Sequence, residues 1–188
     1  MKKLVLLSLV SMGLSAFAYE PFTPITGITT GLSDETCVAY DGDRFQKEPE
    51  IDYFSAECLG LGGWRVINYG GDARSWIKLI NGKYEFNLQG KVESVGQFPN
   101  INSGVEWRVK RVLGKGAAPI AVLVATSGQD PDDIEKTNGE VLIIKLSAKK
   151  SCIMNKIRFN ARDEKAEKAA QEQARAEADA KAAAYVCK

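Results

Sequence analysis

The amino-acid sequence predicts an α+β fold: an antiparallel sheet of about seven strands with a long C-terminal α-helix clipped by a disulfide. Four apolar runs predict the sheet, because each is of strand length, rich in β-branched residues and bounded by turn residues. A change of composition at residue 160 predicts the helix, since Ala, Glu, Lys and Arg dominate from there. The four runs are residues 105–112, 118–125, 140–146 and 152–159.

Residues 1–18 have the three parts of a secretory signal peptide. Lys2 and Lys3 form a positive segment, residues 4–14 are apolar, and Ala16-Phe17-Ala18 supplies a small-x-small cleavage site. The apolar run is shorter than the roughly 20 residues that a membrane-spanning helix needs. We therefore expect cleavage near Ala18, a periplasmic or secreted mature protein, and no stable membrane insertion.

The charged residues are balanced and histidine is absent. The chain has 25 basic and 24 acidic residues, which become 23 against 24 when Lys2 and Lys3 are removed. Without a basic excess we expect no nucleic-acid partner. The lack of histidine excludes Ser-His-Asp and Cys-His catalysis and the common zinc sites. We expect no metal or cofactor, and an enzyme built from this chain would have to use carboxylates, Lys, Tyr or Ser.

Between the signal peptide and the helix, turn residues divide the chain. Residues 19–36 contain several Pro, Gly and Thr and are predicted to be an extended N-terminal arm or an edge strand. Residues 37–159 are predicted to be the β-rich domain, in which Asn81-Gly82 joins two strands as a hairpin with a type I′ turn. Polar composition predicts long loops at residues 90–104 and 126–139.

Residues 160–188 are predicted to be the C-terminal helix region. Asn160 is a candidate N-cap, with Asp163 three residues later, where an acid complements the helix dipole. Large apolar residues are almost absent, but alanines recur on one side of the predicted helix. Such a helix can lie close to a neighbouring element while burying little area. The alanines are at positions 166, 170, 174, 178 and 182.

The four cysteines of an exported chain indicate two disulfides, with three possible connectivities. The spacing favours Cys37–Cys58 and Cys152–Cys187, because each pair brackets one local unit. A strand from Cys152 to Phe159 spans about 26 Å, and a helix over residues 161–184 returns over about 36 Å. An antiparallel return therefore brings Cys187 within reach of Cys152.

Two acid–base pairs form the candidate binding face. Asp72 and Arg74 follow a Gly-Gly turn, and Glu106 and Arg108 flank Trp107. In a strand, residues two apart share one face, so each pair points the same way and Trp107 points the other way. Three interpretations remain open: ion pairing on a solvated sheet face, a polar binding patch, and a buried ion network.

Several short motifs follow one another along the mature chain. Cys58 precedes a glycine-rich turn, Gly71-Asp72-Ala73-Arg74 and Glu106-Trp107-Arg108 follow, and an alanine-rich C-terminal end closes with Cys187. In this order the chain resembles a loosely defined group of small exported bacterial proteins with no assigned activity. The resemblance implies a secreted α+β domain with two cystines and no catalytic residue. The long, charged, alanine-rich helix departs from the group.

The sequence supports three hypotheses for function. The first is an exported, non-enzymatic binding or inhibitor-type protein of the bacterial envelope, with an unknown protein or glycan as its partner. The second is an envelope hydrolase that uses carboxylates on glycan or peptide. The third is an assembly role in which the alanine-rich helix pairs with a partner helix.

Overall fold

The computed structural model describes residues 25–40, 53–112, 114 and 116–188. In these residues the chain forms two five-stranded antiparallel sheets and one α-helix. The predicted α+β class is confirmed, whereas the prediction of one sheet of about seven strands is wrong. Apolar periodicity marks individual strands but does not specify which strands pair, so it could not separate two stacked sheets. The expected signal peptide at 1–18 and residues 19–24 of the expected arm lie outside the described residues.

The smaller sheet is a meander whose strands are neighbours in chain order. Its hairpin near Asn81 is present, but the two-residue turn consists of Gly82 and Lys83, because Asn81 still pairs with Tyr84. Gly82 supplies the positive φ of this turn, 59°. The strands are β2 (Cys37–Ala39), β3 (Tyr53–Cys58), β4 (Trp64–Gly71), β5 (Arg74–Asn81) and β6 (Tyr84–Asn87).

The larger sheet contains the four apolar runs and one strand from the N-terminal segment. Its spatial order is β1-β7-β8-β9-β10, so β1 is an edge strand and pairs with β7. A short 3₁₀ helix, Glu93–Val95, leads from the smaller sheet into β7. The strands are β1 (Ile25–Gly31), β7 (Gln97–Val112), β8 (Gly116–Gln129), β9 (Thr137–Lys145) and β10 (Cys152–Asn160).

Much of the two segments predicted to be long loops is strand. Residues 97–104 belong to β7, and the second loop narrows to residues 130–136. The register of β7 on β8 shifts between Gln97 and Asn100 and again between Ile101 and Val105. Such β-bulges break the alternation of apolar and polar residues. The sequence pattern therefore looked like a loop although the backbone pairs as a strand.

The main core lies between the two sheets. Side chains from β4 and β5 pack against side chains from β7, β8 and β9. Trp107 of β7 is fully buried there, and its indole Nε1 donates a hydrogen bond to Thr30 Oγ1 at 2.9 Å. The three tryptophans, Trp64, Trp76 and Trp107, are all buried.

The C-terminal helix, α1 (Glu164–Lys181), covers the other face of the larger sheet. Its N-cap is Asp163, whose Oδ1 accepts hydrogen bonds from the backbone N–H groups of Lys165 and Ala166. The prediction of Asn160 as N-cap is wrong, because Asn160 Oδ1 accepts from Arg162 N in the turn before the helix. Four of the five predicted alanines, at 170, 174, 178 and 182, are buried. No helix in the described part of the chain is long and apolar enough to cross a membrane.

Both disulfides favoured by the cysteine spacing are present. Cys37 and Cys58 are direct cross-strand partners in β2 and β3, with 4.1 Å between their Cα atoms. Cys152, at the start of β10, is joined to Cys187 beyond the end of α1, with 5.8 Å between their Cα atoms. The second disulfide therefore ties the last helical segment to the edge strand.

Candidate functional site

The structure divides the four residues of the predicted binding face between two sheets. Asp72 and Arg74 are exposed at the turn between β4 and β5 of the smaller sheet. Glu106 and Arg108 lie in β7 of the larger sheet, on the face that α1 covers. The two pairs therefore lie in different surroundings and do not share one binding face.

Glu106 and Arg108 form a largely buried ion network with the helix. Arg108 donates two hydrogen bonds to Asp179, at 2.8 and 2.6 Å, and one to Glu106 Oε1 at 2.7 Å. Arg175 of α1 donates to both oxygens of Glu106, at 3.0 and 2.9 Å. The hydrogen bonds to Asp179, and then the one to Glu106, raise the pKa of Arg108 above its ordinary value. Of the three interpretations, this pair fits the buried ion network, which holds the helix against the sheet.

The turn that contains Asp72 has a strained backbone. Gly71 pairs with Arg74, so Asp72 and Ala73 are the two turn residues, with φ of 50° and 57°. Positive φ at both central positions is usually met by Asn, Asp or Gly, and alanine adopts it at a cost of about 1 kcal/mol. The turn is therefore kept in this shape by contacts with its neighbours.

Those contacts come from the bulged start of β7. Asn100 Nδ2 donates to the carbonyl oxygens of Ala73 and Phe98, both at 3.0 Å. Phe98 also has a positive φ, 49°, and the Arg74 guanidinium lies 5.7 Å from the centre of its ring. Asp72, Ala73 and Phe98 are the non-glycine residues with positive φ in the part of the chain that the structure describes. Strained residues tend to cluster at functional sites.

A groove opens between the two sheets beside this turn, and we call it the hairpin-end groove. It has a volume of about 670 Å³. Ile101 N donates to Ser75 Oγ at 2.7 Å, which fixes the two sheets to each other at the groove. The side chains that line the groove include Leu32, Phe54, Asn68, Arg74, Asn100 and Ile101.

Phe54 forms an exposed aromatic wall of the hairpin-end groove. It remains 54% exposed although it lies in β3, directly across from Gly70 in β4. Its ring lies over the Gly70 backbone, since a Cβ atom at residue 70 would come within 2.2 Å of Phe54 Cε1. Glycine at this position therefore lets the ring lie close against the sheet and present its other face to the groove.

Asn68 is the most buried polar side chain in the groove, with 8% of its surface exposed. Its Nδ2 donates to the Leu32 carbonyl oxygen at 3.3 Å. Its buried Oδ1 accepts no hydrogen bond from the described residues.

Arg74 forms a ridge between the hairpin-end groove and a second pocket of about 290 Å³. Gly71 and Ser75 line both spaces together with Arg74. Phe98, which is 40% exposed, and Pro99 line the second pocket. The guanidinium makes no ion pair with the described residues, so its donors remain available to a ligand on either side.

Sequence reasoning missed a buried polar cluster around Glu140. This residue is fully buried, and its Oε1 accepts hydrogen bonds from Ser94 Oγ at 2.7 Å and Lys156 Nζ at 3.2 Å. Lys156 Nζ also donates to Ser94 Oγ and, at 2.7 Å, to the Lys91 carbonyl oxygen. Three acceptors therefore surround the Lys156 ammonium group, and the Ser94 hydroxyl already donates to Glu140 Oε1. The cluster anchors residues 91–94 to the edge strand, and its only signal in the sequence was an acid within an apolar strand.

The chemistry of the hairpin-end groove is that of a binding site, with an aromatic face, amide side chains and one guanidinium. Within the ranges that the structure describes, no group of three or more Cys, Asp or Glu side chains could hold a metal ion. No protein-family model matches the chain, and neither a curated protein nor a solved structure is significantly similar to it. The function must therefore be inferred from the geometry of the groove.

Proposed function

We propose that this protein is an exported, non-enzymatic binding or inhibitor-type protein of the bacterial envelope that holds its partner in the hairpin-end groove. One observation carries the proposal. Two non-glycine residues with positive φ, Ala73 in the hairpin-end groove and Phe98 in the adjoining pocket, are joined by Asn100, whose Nδ2 donates to both of their carbonyl oxygens. A backbone that stores strain at one place and is rigidly supported there is typical of a preorganised ligand site.

Two disulfides within one chain are compatible with an oxidising compartment. In combination with the signal peptide expected at residues 1–18, they support export to the periplasm or beyond. A sandwich stapled by two disulfides suits a protein that must keep its shape outside the cytoplasm.

The distribution of carboxylates favours binding over hydrolysis. Hydrolysis of a glycan by carboxylates needs two of them on opposite sides of the scissile bond. Asp72 is the one carboxylate among the described residues that line the hairpin-end groove. In the larger sheet, the half-buried Glu106 and the fully buried Glu140 are held in ion pairs. The hydrolase hypothesis therefore has weaker support than the binding hypothesis.

The assembly hypothesis, in which the alanine-rich helix pairs with a partner helix, also has less support than binding in the groove. The alanine stripe that would have paired with a partner helix is buried against the larger sheet of the same chain. The three tryptophans are buried too, so the aromatic and cationic contacts available to a partner beside the groove are those of Phe54, Phe98 and Arg74. All three lie at the hairpin end of the molecule.

The proposal is tested by capturing partners from an envelope extract with the immobilised mature protein. The double variant Phe54→Ala/Arg74→Ala removes the aromatic wall and the ridge. Its control is Leu59→Ala/Lys83→Ala, which removes one exposed apolar and one exposed basic side chain at the opposite ends of β3 and β5. Glycans and proteins retained by the wild type are quantified by mass spectrometry.

We expect the groove variant to lose the retained partner by at least about tenfold, as is usual when two central contacts are truncated. The control variant should retain it at the wild-type level. Equal retention by the two variants would show that the groove is not the binding site and would overturn the proposal.

A further inference from the structure

We infer that the outer edge of β1 pairs with β1 of a second copy of this chain, so that two molecules share one continuous antiparallel sheet. This surface is separate from the hairpin-end groove, so the inference does not depend on the proposed function. Three features carry it: an edge strand without protection, a sequence that can pair with itself, and a neutral ion network beside the edge.

Three of the four sheet edges in the described part of the chain are protected against pairing. An open edge presents unpaired N–H and C=O groups, and proteins protect it with short strands, bulges, proline or charged side chains. β2 has three residues and β6 has four. β10 is longer, but its register shifts between Ile153 and Asn155, and the charged side chain of Arg158 is exposed on it.

β1 has none of these protections. Its seven residues, Ile-Thr-Gly-Ile-Thr-Thr-Gly, include no charged residue and no proline. It pairs with β7 over all seven residues without a register shift, and residues 26–29 are exposed. Among the described strands, β7 alone is its neighbour. The outer side of β1 therefore offers an uninterrupted row of backbone donors and acceptors about 23 Å long.

The sequence of β1 is suited to antiparallel pairing with itself. Ile28 is the middle residue of the strand, so a two-fold axis beside it gives every residue of β1 an opposite residue in the second copy. Ile28 then lies opposite its own counterpart, and Thr26 lies opposite the counterpart of Thr30. Apolar pairs and Thr–Thr pairs stabilise neighbouring strands, whereas like charges directly opposite destabilise them. No position of this register brings two charges together.

Ile28 supplies an apolar contact at the axis. It is 45% exposed, although its cross-strand partner in β7 is the fully buried Trp107. The apolar core therefore reaches the surface at the edge of the sheet through this side chain. In the paired arrangement the two Ile28 side chains cover each other, which removes apolar surface of both copies from water.

The ion network on the helix side of β1 does not oppose the approach of a second copy. Gly27 lies directly over this network, because a Cβ atom at residue 27 would be 2.7 Å from Arg108 Nη1 and 2.8 Å from Glu106 Oε1. The network joins two acids, Glu106 and Asp179, to two bases, Arg108 and Arg175. Since their formal charges cancel, two such networks approach each other without net repulsion.

A second copy fits this edge better than a foreign strand does. Strand addition gains affinity from main-chain hydrogen bonds, and its specificity comes from pockets that take alternate side chains. The exposed residues of β1 are two threonines, a glycine and Ile28, which are small or apolar and select no particular foreign side chain. A two-fold arrangement makes each contact twice and covers both unprotected edges at once.

The experiment measures the association of the mature protein by analytical ultracentrifugation over a series of concentrations. We expect a reversible monomer–dimer equilibrium with a weak Kd, because one pair of strands makes a small interface. Ile28→Lys places two ammonium groups opposite each other at the axis and should raise Kd at least about tenfold. Its control is Val38→Lys, the same kind of change at a residue of β2 that is 69% exposed, which should leave Kd unchanged. Circular dichroism checks that both variants are folded.

Three outcomes would overturn the inference. The first is a wild-type protein that stays monomeric at every concentration. The second is a dimer that a folded Ile28→Lys variant leaves as stable as the control does. The third is a monomer whose capture of an envelope protein is lost in Ile28→Lys and kept in Val38→Lys, because the edge would then bind a foreign strand.

A cross-linking variant tests the register without adding charge. The four cysteines of the chain form two disulfides, so Ile28→Cys introduces a single free thiol. Opposite residues of antiparallel strands have Cα atoms about 4.5–5.5 Å apart, which is within the range of a disulfide. Under mild oxidation we expect Ile28→Cys to form a covalent dimer at least about tenfold faster than Leu59→Cys, whose site is 76% exposed and remote from the edge. Equal rates for the two variants would refute pairing at Ile28.

Discussion

The two faces of the larger sheet are covered in opposite ways. The face towards the smaller sheet is packed with large side chains, among them Trp107 and Leu142, which are fully buried. The face towards α1 packs its own large residues, such as Ile143, against alanines of the helix. Large apolar side chains therefore cover the first face, whereas the small alanine side chains of the helix cover the second.

The helix side is held by a different set of contacts. Each buried alanine methyl contributes only about 0.8 kcal/mol. The helix therefore depends in addition on the Arg108–Asp179 and Glu106–Arg175 ion pairs and on the Cys152–Cys187 disulfide. A hydrogen bond from Lys145 Nζ to the Ala182 carbonyl oxygen also fixes its C-terminal end. On this face, ion pairs, a hydrogen bond and a disulfide therefore supply the stabilisation that the small apolar area does not.

The largest expected effect compares Leu142 with Ile143, which are adjacent in β9, fully buried and on opposite faces. Leu142→Ala leaves a cavity between two sheets that cannot approach each other, so we expect a loss of about 4 kcal/mol in the free energy of unfolding. Ile143→Ala opens space under a helix that can settle, so we expect about 2.5 kcal/mol. Urea unfolding of both variants measures the difference. Equal losses would show that the helix face is as rigid as the sandwich.

The second comparison uses two bidentate Arg–carboxylate pairs that differ in burial. The side chain of Arg108 is 8% exposed and that of Arg65, which pairs with Glu57, is 45% exposed. Arg108→Ala leaves Asp179 without its cation and should cost about 3 kcal/mol. Arg65→Ala should cost less than about 1 kcal/mol, because water screens the exposed pair. Thermal unfolding of both variants tests this, and a cost for Arg108→Ala as small as that for Arg65→Ala would mean that the buried network does not hold the helix.

The third prediction tests how closely the alanine stripe fits. Ala174 is fully buried on the side of α1 that packs against the larger sheet, and Ala180 is exposed on the same helix. Ala174→Leu should cost about 2 kcal/mol, because there is no room for the added atoms. Ala180→Leu should change stability by less than about 0.5 kcal/mol, since Leu and Ala have similar helix propensities. Chemical denaturation followed by circular dichroism provides the measurement. A neutral Ala174→Leu would show that the helix lies loosely on the sheet.

The smallest expected effect concerns Glu177, which links α1 to β10. Hydrogen bonds from Asn155 and then Lys181 lower its pKa below the ordinary value of 4.5. A lowered carboxyl pKa adds stability above pH 4.5, and this is lost as the pH falls through the folded-state value. Glu177→Gln should therefore cost less than about 1 kcal/mol at pH 7 and nothing at pH 2. Urea midpoints at the two pH values provide the test, and a cost that persists at pH 2 would contradict the linkage.

The sequence predicted the elements that depend on local pattern, namely the strands of the larger sheet and the alanine stripe of the helix. The apolar runs from residue 105 onward became β7 to β10, and four of the five alanines at spacing four became the buried stripe. The second sheet was not predicted, because alternation within β4 and β5 does not reveal what either face touches. The strand character of residues 97–104 was hidden by the bulges between Gln97 and Asn100 and between Ile101 and Val105, which break the period of two.

The candidate site was predicted only in part. Asp72 and Arg74 were selected from the sequence and do lie at the hairpin-end groove. Glu106 and Arg108 were joined to them because spacing along a strand specifies a face but not the sheet to which that face belongs. Phe54 and Asn68 could not be selected, since the exposure of Phe54 over Gly70 and the burial of Asn68 beside the groove are properties of the packed structure.

The Cys152–Cys187 disulfide turns the last strand and the helix into a covalently closed ring. A protease that cuts the exposed side of α1, for example after Lys168, produces two fragments that remain attached to each other. Gels run without reductant should therefore show an intact band, and reduction should release the fragment that ends the chain. A cut in the backbone of the helix therefore does not release its C-terminal part from the protein.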